Sequence, residues 1–212
     1  MEAELGFLHS TLESILGRDN EARGKAETAL MEIKLKEPNK CALYLLKILA
    51  ESKDEAVRLL SAVLLRRFTS VILDEEGSLW KRMEGDQKAI FKEQLLNILD
   101  AEGTRIVRVR ICDLVAELGG SIFECEQEHW KELLLKIAGL LQSEAEGDLE
   151  VAFRICESYI PYAFDEFKAH HAVLSKVIER ALVSSNFHLA ESAVDCFAAI
   201  CALIEKEELK AF

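Results

Sequence analysis

The side chains with the most reactive chemistry are two adjacent histidines, six cysteines, two tryptophans and a long run of carboxylates. His170 and His171 could ligate a metal, but neighbours on a helix diverge by about 100° and cannot share one ion. They are read as surface or boundary histidines. The cysteines, at 41, 112, 125, 156, 196 and 201, lie far apart, with no CxxC pair and no framework spacing. That pattern fits reduced, buried thiols in a cytosolic or nuclear protein. No thiol stands in a local activation motif, although a base distant in sequence stays open as a partner. P-loop, G-x-S-x-G, H-E-x-x-H and dinucleotide fingerprints are all absent from the sequence. Trp80 and Trp130 fall at apolar positions near helix starts, as packing residues do. The sequence therefore predicts no enzyme: no catalytic residue, no metal and no cofactor.

Charge points to partners instead. The formal net charge is −12, which argues against nucleic acid, since phosphate affinity rests on clustered Lys and Arg. It suits a basic protein partner, or solubility alone. Between Glu124 and Glu150 eight acids face only Lys131 and Lys136, either a solvated helix face or a docking surface for a basic segment. By contrast Arg58, Arg66, Arg67, Arg105, Arg108 and Arg110 make two helices locally basic, where an acidic face of a partner could sit. The N-terminal MEAELGFLHSTLESIL is acidic where a signal peptide is basic. The longest apolar run, Cys196 to Ile204, is too short to span a bilayer, so no membrane insertion is expected.

These residues are carried on helices. Apolar residues recur at helical spacing throughout, most of the glycines fall where helices should end, and two prolines interrupt the chain. The expected helices run from Glu4 to Leu16, from the Asp19 cap through Ile33, from Pro38, and from the Asp54 cap to Phe68. The last carries Val57, Leu60, Ser61, Leu64, Leu65 and Phe68 inward. Residues 74–86, DEEGSLWKRMEGD, form the longest polar connection, with a short helical insert at Leu79-Trp80. Further helices are expected over Gln87–Leu99, from Thr104 to Gly119-Gly120, over Glu126–Leu141, Asp148–Ile160, Phe167–Val183 and Asn186–Ile204.

The helices repeat. Ala22, Val57, Val107, Val151 and Leu189 align as anchors, and three residues before each stands Asp19, Asp54, Thr104, Asp148 or Asn186. All are good N-caps, able to accept from the unpaired N–H groups of a helix start. The anchors are 35, 50, 44 and 38 residues apart, around the ~40–47 of HEAT or armadillo units. Arg23, Arg58 and Arg108 follow the first three anchors; they are read as a structural ladder between repeats, with Asp19–Arg23 and Asp54–Arg58 as i,i+4 pairs. A single helix pair cannot bury both faces, so neighbours must stack. The fold class is all-α, a right-handed α-solenoid of about five antiparallel HEAT-type pairs at 4–36, 37–73, 78–120, 126–163 and 166–204. Residues 205–212 look like the start of a further helix. Counting away from the core on the second helices brings out Thr28, Met31, Arg66, Ser70, Asp113 and Glu157, with Arg67 and Glu117 alongside.

Several stretches then resemble a known family. DNEARGKAETAL at 19–30, SAVLLRRFTSV at 61–71, Trp80 and KAIFKEQLLNIL at 88–99 look like the N-terminal domain of the importin-β (karyopherin-β) nuclear transport receptors. AVLLRR, CDLVAEL at 112–118 and the helix led by Trp130 are similar to the importin subunit beta-3 branch of that family. The resemblance implies a receptor that binds basic protein cargo, contacts phenylalanine-glycine nucleoporins and releases cargo when Ran-GTP binds. It implies a place in cytoplasm and nucleus, including the nuclear envelope at pores. By position it carries the Ran-GTP site onto Thr28, Met31, Arg66, Arg67, Ser70 and Asp113. Family members have many more repeats, so the chain is read as the N-terminal part of a longer receptor. The alternative is a HEAT-repeat scaffold of another complex, indifferent to Ran.

Overall fold

The computed structural model describes residues 2–73 and 77–210, with side-chain surroundings as far as residue 204. Every regular element among them is helical: α1 (Glu2–Leu16), α2 (Asn20–Lys36), α3 (Pro38–Glu51), α4 (Glu55–Thr69), α5 (Leu79–Arg82), α6 (Gly85–Ala101), α7 (Arg105–Glu126), α8 (Lys131–Leu141), α9 (Glu146–Tyr159), α10 (Phe164–Ala169), α11 (His171–Leu182) and α12 (Phe187–Lys210). A 3-10 turn, Ile160–Tyr162, carries Pro161 after α9. Two compact units divide the chain, Met1–Ser121 and Ile122–Phe212. Of the expected polar connection at 74–86, residues 74–76 lie outside the described residues, and the insert within it is α5.

In the first unit α1 packs on α2, α3 on α4, and α3 also meets α6. Leu8, Leu12, Leu45, Leu46, Leu49, Val57, Leu65, Phe91 and Leu95 are fully buried there. Pro38 opens α3 at its first position, where a missing N–H leaves no bond unmade. The Asp19 carboxylate accepts from Glu21 N (2.9 Å) and Ala22 N (3.2 Å), and Asp54 from Ala56 N (2.8 Å). In the second unit α8 packs on α9, α11 on α12, and α9 lies against α12. Asn186 caps α12, accepting from His188 N at 3.2 Å.

Several expectations are corrected. Asp148 is not a cap: α9 starts at Glu146, placing Asp148 inside its first turn, where it accepts from Ser143 Oγ at 2.7 Å. An acid there still favours the positive end of the helix dipole. Gly119 and Gly120 do not end α7, which runs on to Glu126. Both are buried between Leu118 and Ser121, also buried, and packing outweighs the roughly 1 kcal/mol helix penalty of each glycine. The helix stops instead at Gln127, which takes φ 55 and returns its N–H to Phe123 O at 2.8 Å, a left-handed C-cap made without glycine. Hence 127–130 is a turn, and the next helix begins only at Lys131. His170 breaks the helix expected over 167–183 into α10 and α11. Residues 205–210 continue α12 rather than open a new helix, and 211 and 212 lie outside the described residues. Leu64 is half-buried and Val63 exposed; the inward stripe of α4 is Val57, Ser61, Ala62, Leu65, Phe68 and Thr69.

The apolar stretch of the C-terminal helix is longer than its uninterrupted run suggests. Phe187–Ile204 has mean hydropathy 1.6 with 22% of it buried, enough by length and composition to cross a bilayer. One face of it packs against α9 and α11, while Phe187, Val194 and Phe197 stay exposed. Leu189, Ala193 and Cys196 are buried, and its carboxylates Glu191 and Asp195 pair with Arg154 of α9 at 3.1 and 3.7 Å.

Candidate partner-binding face

The arginine that follows each of the first two anchors is a clamp. Arg23 Nη2 donates to Gly17 O (2.7 Å), and Arg58 Nη1 to Ser52 O (3.0 Å), each six residues back across the turn. A guanidinium at the last carbonyls of a helix is favoured by both hydrogen bonding and the dipole. Arg58 also reaches the next pair: Nε donates to Glu102 Oε2 (3.2 Å) and Nη2 to Thr104 Oγ1 (3.0 Å). The ladder reading thus holds for Arg58, through the following turn rather than through Asp54. Thr104 sits at the α7 start with its hydroxyl engaged by that guanidinium.

With those arginines committed inward, the outward chemistry of the first unit lies at the end of α4 and on the face of α7 beside it. Arg66 and Arg67 occupy the last turn of α4 and are exposed. Their charge suits a helix C-terminus. The sequence puts Ser70 on the same outward face; the structure buries it completely. Thirteen residues past the anchor the helix has ended, and α7 closes over its C-cap. The Ser70 hydroxyl donates to Glu117 Oε1 (2.6 Å) and accepts from Leu73 N (3.0 Å), while Ser121 Oγ, one turn along α7, accepts from Val71 N (3.1 Å). Ser70 is a structural clasp, not a contact residue.

Glu117 also faces Arg66, Oε2 to Nη2 at 3.8 Å, and its side chain is 17% exposed against 47% for Arg66. One turn earlier Asp113 binds Arg110 Nη1 at 2.9 Å and stands partly shielded. Thr28 and Met31 are exposed on α2, the Thr28 hydroxyl turned back to Gly24 O at 2.9 Å. Lower on that helix Lys34 is buried with its ammonium 4.8 Å from the Phe68 ring centroid, which ties α2 to α4. The structure therefore joins Arg66, Glu117 and Ser70 directly, with Asp113 on the same α7 face. Glu117, counted from sequence as a neighbour of the face, proves to be its hub.

The acidic run is less free than its charge suggests. Glu144 pairs with Arg180 (3.2 Å), and Glu146 accepts from Ser184 Oγ (2.6 Å) and Asn186 Nδ2 (3.1 Å), bonds that hold its carboxyl below the usual range. His129 binds Glu166 at 3.1 Å and stacks on Phe123. Trp80 and Trp130 are each 1% exposed, in the packing role expected of them. Cys41, Cys112, Cys156 and Cys196 are buried, and Cys125 and Cys201 half-buried. Burial pushes the Cys41 thiol up to about 12; for Cys156, a bond with Cys196 and burial both act in that direction. Such thiols are poor nucleophiles.

Comparison with known proteins agrees with this architecture. Residues 26–101 match the family model described as "Importin-beta N-terminal domain", and residues 103–212 the one described as "IPO5-like, TPR repeats". Kap121p, a solved structure, superposes with a TM-score of 0.75 at 23% identity over 94% of this chain and 18% of its own. Kap121p bound to Nup53p gives 0.75 at 24%, and Kap121p bound to RanGTP 0.73 at 22%, with the same coverage. At these identities the likeness shows the fold, an all-α solenoid. The chain spans about a fifth of the length of those relatives.

Proposed function

Because the chain belongs to the importin-β family of karyopherins, we propose that it forms the N-terminal part of a nuclear transport receptor rather than an enzyme. Ran-GTP would bind the face made by α2, α4 and α7, contacting Thr28, Met31, Arg66, Arg67 and Asp113. Its binding releases basic protein cargo carried by the receptor. Phenylalanine-glycine nucleoporins pass the complex through the pore, so the protein works in cytoplasm and nucleus. Kap121p, of like fold, is known bound to RanGTP and to Nup53p.

The observation that carries this reading is the exposed Arg66–Arg67 pair at the end of α4, inside the matched importin-β N-terminal domain. On a chain of net charge −12 such a pair is a local exception that an acidic partner surface complements. The test is titration of the chain with Ran-GTP and Ran-GDP, repeated for Arg66→Glu with Arg67→Glu. Binding should depend on GTP, and the double variant should lose at least about tenfold in affinity, roughly 1.4 kcal/mol, with helicity unchanged. Equal affinity for both nucleotide forms refutes the receptor reading. Unchanged affinity of the double variant refutes the site.

A further inference from the structure

Two arginine–carboxylate pairs stand on the candidate face, and they are built differently. Arg110 and Asp113 are closed at 2.9 Å, a direct hydrogen-bonded ion pair. Arg66 and Glu117 are held open at 3.8 Å, beyond hydrogen-bond range. What tethers the Glu117 carboxylate is Ser70. Its proton is committed to Glu117 Oε1 at 2.6 Å, and its oxygen is fixed by Leu73 N at 3.0 Å. The hydroxyl is wholly buried and sits at the α4 C-cap, where its own N–H returns to Arg66 O at 3.2 Å. The carboxylate is thus tethered on one oxygen, shielded, and aimed with the other at a half-exposed guanidinium that it does not grip.

We propose that Glu117 is a positioning residue that competes internally for Arg66, kept at arm's length by Ser70, so that an acidic partner takes Arg66 by displacing an incomplete ion pair. The inference rests on the preceding reading, in which Arg66 contacts Ran-GTP. The chemistry is ordinary. A guanidinium offered two parallel hydrogen bonds by an incoming carboxylate or phosphate gains more than it keeps at 3.8 Å from Glu117. Until then Glu117 orients Arg66 and lowers its attraction for weakly acidic surfaces. Arg110, already closed on Asp113, is not available on the same terms. Glu117 therefore tunes selectivity as well as affinity.

The test is a double-mutant cycle on Ran-GTP binding by the chain, with Glu117→Gln, Arg66→Gln and their combination. The amide introduced by Glu117→Gln keeps an acceptor for the Ser70 hydroxyl and loses only the charge. Glu117→Gln should tighten binding about two- to fivefold, the scale of a part-exposed ion pair, and the gain should vanish in the Arg66→Gln background. Ser70→Ala should weaken binding, because the freed carboxylate can close on Arg66. Glu93→Gln, an exposed change on α6, controls for net charge. A Glu117→Gln gain that persists without Arg66, or that Glu93→Gln matches, overturns the proposal, as does wild-type affinity of Glu117→Gln when Arg66→Gln has weakened binding. If Arg66→Gln itself leaves Ran-GTP affinity unchanged, the contact reading of Arg66 falls, and this inference with it.

Discussion

Arg58→Ala should be among the most damaging single substitutions at a charged residue of the first unit. Three nitrogens of its guanidinium bond to Glu102, Ser52 O and Thr104 at 3.0–3.2 Å, with the Arg58 and Glu102 side chains 15% and 9% exposed. Removing one partner of a shielded pair leaves an uncompensated charge, at a cost of about 3–5 kcal/mol. Glu102 retains the Thr104 N–H, which donates to its other oxygen at 2.7 Å, so the expectation is the lower end, about 3 kcal/mol. That is a large share of the 5–15 kcal/mol typical of whole domains. The measurement is urea unfolding in a Trp130→Phe background. There the fluorescence reports Trp80, which is 1% exposed in the first unit. The midpoint should fall with the slope unchanged. Arg58→Lys should recover part of the loss, since an ammonium keeps the charge but not the three-way fork. A loss below about 1 kcal/mol for Arg58→Ala, the value of an exposed pair, would refute the claim that this arginine ties two helix pairs together.

Leu65→Ala should lower stability by about 2–5 kcal/mol because the side chain is wholly buried, and Leu64→Ala by less than half as much in the same unfolding assay. Burial pushes Tyr159 up to about 12 from an unfolded value near 10. Between those limits the native state keeps a proton that the unfolded chain has lost, so stability falls as pH rises from about 10 to 12. Cys41 acts in the same sense from a lower starting point; the difference between wild type and Tyr159→Phe isolates the tyrosine, and the variant should show the shallower decline in alkaline melts. Among the six cysteines, only Cys125 and Cys201 should react promptly with a thiol reagent in the native protein, the other four only on unfolding.

Much of the helix order was legible because caps and stripes agreed. Asp19, Asp54 and Asn186 stand where helices begin, and Val57, Val107 and Leu189 are buried as anchors should be. The misses share a cause: one residue type can serve two local roles, and only packing chooses. Asp148 is as welcome in a first turn as at a cap. Two adjacent glycines read as a stop, yet in α7 they lie in a buried stretch whose packing overrides propensity. Gln127 made a stop without any glycine signal. On the candidate face, Arg66 and Arg67 could be found by counting, since α4 is regular to its last turn. Ser70 could not. Its fate depends on Glu117 and Ser121, which are 47 and 51 positions later in the chain, and no helical period connects them.

The arginine clamps also bear on how these turns can vary. Gly17 to Arg23 and Ser52 to Arg58 span the same six-residue interval, so each turn has a length gauge fixed by a hydrogen bond. One residue inserted between carbonyl and arginine lengthens that interval and draws the guanidinium off the carbonyl, with a swing of about 100° where it falls inside the first turn of the helix. Insertions and deletions should therefore be rejected at these two turns, however exposed they are. Length variation should fall in connections that carry no such gauge.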